Sequence, residues 1–170
     1  MLTDDKSYQR SLGVMLIAAN MLWDRENRFR DACRDYLRCC DDERFITSRQ
    51  AIQGLQKISA VKDAYHDEII VALTGIKLEG RKDSQKGLLL LDIAEVLTAL
   101  HEQKPDARIE AYLRQNLSHG NDKAKKLIQK VLTSAPAIRR TSGFIARCSA
   151  AGSFRCASPP VPTVPASCRA

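Results

Sequence analysis

A chain of 170 residues and 19.0 kDa has the length of one domain or of a short stack of repeated units. With 44% hydrophobic but only 5% aromatic residues, and few Gly or Pro before the C-terminal stretch, it suits helices packed through Leu, Ile and Ala rather than a sandwich or barrel. The net charge of +7 does not point to nucleic acid by itself: Arg139, Arg140, Arg147, Arg155 and Arg169 lie in an acid-free stretch over 134–170, leaving 22 basic and 20 acidic residues over 1–133.

Apolar residues recur at three and four positions from 12 to 132, with no sustained period of two, so an all-α fold is expected. The first helix is predicted over Tyr8 to Leu22. Asn20 interrupts the apolar run Leu12 to Leu22, which is too short for a membrane span, and Asp4 and Asp5 spoil the basic leader a signal peptide would need. A second helix is predicted over Glu26 to Cys40, with Phe29, Ala32, Cys33, Tyr36 and Leu37 on one face. After the polar turn Asp41-Asp42-Glu43, Thr47 or Ser48 is expected to cap a third helix carrying Ala51, Ile52, Leu55 and Ile58. A fourth runs from Asp63 to Thr74, and Gly75 and Gly80 loosen the chain after it. Asp83 or Ser84 opens a fifth helix that is apolar around most of its circumference, from Leu88 to Leu100, and should be the most buried. Pro105 and Asp106 open a sixth that stops near Gly120, and Asn121 or Asp122 caps a seventh carrying Leu127, Ile128, Val131 and Leu132.

These helices share a register. Val14, Ile52, Leu90 and Ile128 are 38 residues apart, as are Ile17, Leu55, Ile93 and Val131, and Gly13, Ala51, Leu89 and Leu127. Each period holds two helices. A pair cannot cover its own apolar face, so neighbouring pairs must stack, giving an expected α-solenoid of stacked antiparallel helix pairs with about three and a half repeats. The stretch Asp41-Asp42-Glu43-Arg44-Phe45-Ile46-Thr47-Ser48-Arg49-Gln50-Ala51-Ile52-Gln53-Gly54-Leu55, and more weakly Asp83-Ser84-Gln85-Lys86 with the Leu run after it, resembles the inter-helix turn and second-helix start of HEAT-like repeat proteins. The resemblance spans residues 8–132 and is closest in style to small bacterial members of that superfamily. It implies a helical-repeat fold and carries no activity with it.

From Pro136 on the chain loses Asp, Glu and Lys and gains Ser, Ala, Cys, Arg and five of its six prolines, so a repeat domain over 1–133 and a tail over 134–170 are expected. The tail is read either as a natural disordered segment or as the aberrant end of a truncated copy of a longer repeat protein.

Signals for catalysis are missing: His66, His101 and His119 lack metal-site spacing, there is no nucleophile elbow, and Gly never clusters into a phosphate loop. No catalytic residue, metal or cofactor is assigned. Cys33, Cys39 and Cys40 show no pairing pattern and are read as small apolar fillers in a reducing cytoplasm, rather than as metal ligands with His66. Trp23-Asp24 invites comparison with the DNA alkylation repair glycosylases, also HEAT-like, but one such pair is too little for their cleft; a Trp plugging the end of the stack beside a capping Asp is the plainer reading. Arg30, Arg34 and Arg38 lie among seven acids and are read as self-paired and solvated.

Arg10, Arg49, Lys86 and Lys125 open successive helices of the repeat. Aligned along one edge they would meet either a phosphate backbone or loop acids such as Asp42, Asp83 and Asp122, and the ladder of ion pairs is favoured. The expected function is a non-enzymatic scaffold presenting Arg49, Gln53, Gln56, Lys86 and Asp92 to a macromolecular partner, a protein; the alternative is a nucleic-acid-binding or DNA alkylation repair-like protein using the basic edge.

Overall fold

The computed structural model describes residues 1–134, and these are all-helical, with no strand among them. The helices are α1 (Ser7–Asn20), α2 (Phe29–Cys39), α3 (Phe45–Val61), α4 (His66–Thr74), α5 (Asp83–Gln103), α6 (Ala107–Asn116) and α7 (Asp122–Ser134). Short 3-10 turns, Met21–Trp23, Asp63–Tyr65 and Leu117–His119, lead out of α1, into α4 and out of α6. None of the helices is long and apolar enough to cross a membrane. The composition break after Pro136 and the tail assigned to it lie outside the described residues.

Packing runs from neighbour to neighbour. α1 packs on α3, α3 on α5 and α5 on α7, while α2 packs on α4 and α4 on α6. The 38-spaced rows form the contact surface: Val14, Ile52, Leu90 and Ile128 are fully buried, as are Leu55 and Ile93, with Val131 nearly so. Only at the outer helices do the rows loosen, where Ile17 and Leu127 are half-buried. As its apolar circumference predicts, α5 has the largest set of buried residues, eleven in all.

Several predicted boundaries shift, each for a local reason. α1 ends two residues early because the chain tightens into a 3-10 turn that buries Met21 and leaves Trp23 72% exposed. Trp23 therefore plugs nothing. α2 starts at Phe29 rather than Glu26, because Asp24 accepts the N–H groups of Arg28 (2.7 Å) and Phe29 (3.0 Å), and Asn27 turns into the left-handed region at φ 56°. Asp24 is thus a capping carboxylate, as read.

Thr47 and Ser48 do not cap α3. The helix begins at Phe45, ahead of both, both are buried, and their hydroxyls tie elements together: Thr47 to Ser11 at 2.8 Å, Ser48 to the Cys40 carbonyl at 2.6 Å. The caps predicted further on are present. Asp106 accepts the Arg108 N–H and Asn121 accepts that of Ala124, both at 2.8 Å.

Candidate interaction surface

α1, α3 and α5 carry the seven residues singled out above, except Lys125, which lies half-buried on α7. The arrangement brings three of them together. Arg49 and Gln53 on α3 both reach Asp92 on α5: the Arg49 guanidinium pairs with both carboxylate oxygens and the Gln53 amide donates to Oδ1 at 3.0 Å. One turn on, Gln56 donates to Glu95 at 2.9 Å. Asp92 is only 4% exposed, so it is not presented to a partner but neutralised between two helices. An acid in the middle of the helix with the most buried residues was the signal for such a pair.

The basic edge is likewise occupied by ion pairs. Arg10 forks onto Asp42 at 2.6 and 2.9 Å and donates to the carbonyls of Asp4 and Asp5, and Lys86 reaches Asp83 at 2.8 Å. Arg49 finds Asp92 instead of a loop acid. Lys125 has no ion pair among the described residues. A phosphate backbone approaching this edge would have to displace Asp42, Asp92 and Asp83 from their cations. On α2 the expected self-pairing is partial: Arg38 lies 3.7 Å from Asp35, whereas Arg30 and Arg34 are exposed with no ion pair among the described residues.

Sequence reasoning overlooked an apolar strip on the same helices. Tyr8 and Ile46 stand 38 residues apart, at the same register of α1 and α3, and are 72% and 67% exposed. Met15 is half-exposed on α1, and Leu88 lies partly exposed on α5, in register with Leu12 and Gln50. Between α1 and the start of α3 this strip forms a groove of about 620 Å³, lined by Tyr8, Leu12, Met15, Phe45 and Ile46, with Arg44 at its edge. Arg44 is the one charged residue of the lining. The Gln50 side-chain oxygen is buried in its wall with no hydrogen-bond partner. Nothing in the sequence separates these side chains from packed ones, since an apolar residue in the first turn of a helix can face either way.

The remaining candidates have structural roles. The Asp24 carboxylate lies below the usual carboxylate range, chiefly because the Phe29 N–H, with that of Arg28, stabilises its charge, which makes it a poor base. Cys33, Cys39 and Cys40 are buried free thiols, and burial pushes all three up in pKa, away from the reactive thiolate. His66 donates through Nε2 to the Ser59 carbonyl at 2.8 Å, and His101, buried in the last turn of α5, accepts the Asp106 N–H through Nδ1. No group of three His, Cys, Asp or Glu among the described residues is placed to hold a metal.

No protein-family model, curated protein or solved structure matches the chain.

Proposed function

We propose that residues 8–132 form an α-solenoid of HEAT-like helix pairs, and that the protein is a non-enzymatic scaffold binding another protein on the surface of its odd-numbered helices. Three features support the reading. The 38-spaced rows are buried where consecutive odd helices meet, polar side chains lock α1 to α3 and α3 to α5, and large apolar side chains stand on the outside of the same helices. The repeated exposure of Tyr8 and Ile46 at equivalent positions carries the proposal, because a contiguous apolar strip on a rigid support is what a protein partner covers.

With Arg10, Arg49 and Lys86 of the basic edge held in ion pairs, a nucleic-acid-binding alternative draws instead on Arg30 and Arg34, which project from α2 without carboxylate partners among the described residues. Photo-crosslinking from cells separates the two readings, using a benzophenone side chain at position 46 or at position 34. A discrete protein adduct from position 46 is expected. An adduct to nucleic acid from position 34, with duplex binding that falls steeply with salt and weakens in Arg34→Glu, would displace it.

A further inference from the structure

The groove between α1 and α3 has the dimensions and chemistry of a seat for one kind of partner element. Stacked helices lie about 8–10 Å apart, so equivalent side chains on α1 and α3 repeat at that interval. Seven residues of an α-helix rise about 10.5 Å. A helix crossing α1 and α3 with apolar side chains at i, i+3 or i+4, and i+7 therefore meets Tyr8 and Ile46 with successive heptad positions, beside a groove whose lining also includes Leu12 and Met15 of α1.

The polar groups narrow the occupant further. Arg44, the one charged side chain of the lining, is 70% exposed, and its ion-pair neighbour Glu43 is 77% exposed and 3.5 Å away, a pair that contributes little. An acidic partner residue gains a cation there, whereas a basic one meets repulsion. We infer that this groove binds an amphipathic helix of another protein, with apolar residues at heptad spacing and a carboxylate beside Arg44, an inference that rests on the scaffold reading above.

The test is a selection of displayed peptides, drawn from a library of randomised three-heptad helices, on the full chain. Enriched peptides should share the apolar heptad spacing and an Asp or Glu, and should lose about tenfold or more in affinity on Ile46→Asp. That variant keeps its fold, because position 46 is exposed and an acid in the first turn of α3 favours the helix dipole; unchanged helical circular dichroism checks this. Selection on Arg44→Glu should turn the preference from acidic to basic peptides. Peptides that bind Ile46→Asp as well as they bind the parent would overturn the groove while leaving the scaffold reading standing. Failure of any peptide to enrich, or enrichment of peptides without heptad spacing, would overturn the proposed occupant, and the crosslink from position 46 then decides the scaffold reading separately.

Discussion

Asp42 sits almost enclosed in the turn between α2 and α3, with Arg10 forked onto it and the Arg44 N–H donating to it at 2.8 Å. Burial alone would raise its carboxyl, but the guanidinium and the N–H outweigh burial and hold it below the ordinary value. A lowered folded-state pKa contributes stability that is complete above the unfolded value of about 3.9 and is lost as pH falls through the folded value. Asp42→Asn should therefore cost about 1–2 kcal/mol at neutral pH, and the gap to the parent should narrow as pH falls below the ordinary carboxylate range. Urea unfolding across that range reads it, and a gap that persists in acid would contradict the assignment. Gly54 is a second sensitive residue, since a methyl group there would run into the Tyr36 hydroxyl and come within 2.9 Å of the Ala18 Cβ. Gly54→Ala gains helix propensity of roughly 1 kcal/mol but overpacks a fully buried ring, so a net loss of about 1–3 kcal/mol is expected. Tyr36→Phe forfeits the bond to the Ala51 carbonyl yet relieves the clash, so the double variant should be more stable than the sum of the two losses, as read by thermal melts. At this scale the sequence was only partly legible. Burial of Leu55 or Ile93 follows from residue type and period, whereas the pairing of Asp92 with Arg49, 43 residues upstream, depends on which turns of two helices face each other.

Among the elements, α3 and α5 hold the array together, each packed on an odd-numbered neighbour to either side. Leu55→Asp or Ile93→Asp places a charge without a partner between two helices, and either should cost more than about 4 kcal/mol and abolish cooperative unfolding. A helical circular dichroism spectrum with an unshifted melting midpoint would contradict that placement. The same packing explains which features of the helices could be read in advance. Their number, order and buried faces follow from periodicity, and the caps at Asp106 and Asn121 from residue type. The start of α3 was misplaced because hydroxyls that resemble caps are used between helices, and α2 was drawn too long because one left-handed residue, Asn27, stops a pattern that hydropathy continues. Tyr8 and Ile46 escaped for a related reason. Apolar residues in the first turn of a helix look alike whether they pack or point away.

Among residues 1–134 as a whole, the principal contacts link each helix to near neighbours in order, from α1 to α7. Two phenols mark positions well separated along that path. Tyr36 donates to the Ala51 carbonyl near one end and Tyr112 to the Ile76 carbonyl near the other, and burial raises both far above the ordinary tyrosine range. A raised folded-state pKa contributes stability that is intact below about pH 10 and erodes as alkali is added, because the unfolded chain ionises first. The ultraviolet absorbance of tyrosinate should therefore rise from these two rings only as helicity disappears, with Tyr36→Phe and Tyr112→Phe each removing one share. Two steps at different alkalinity would reveal ends that melt independently, and a single step would reveal one cooperative body, so the native chromophores report how far order propagates along the chain.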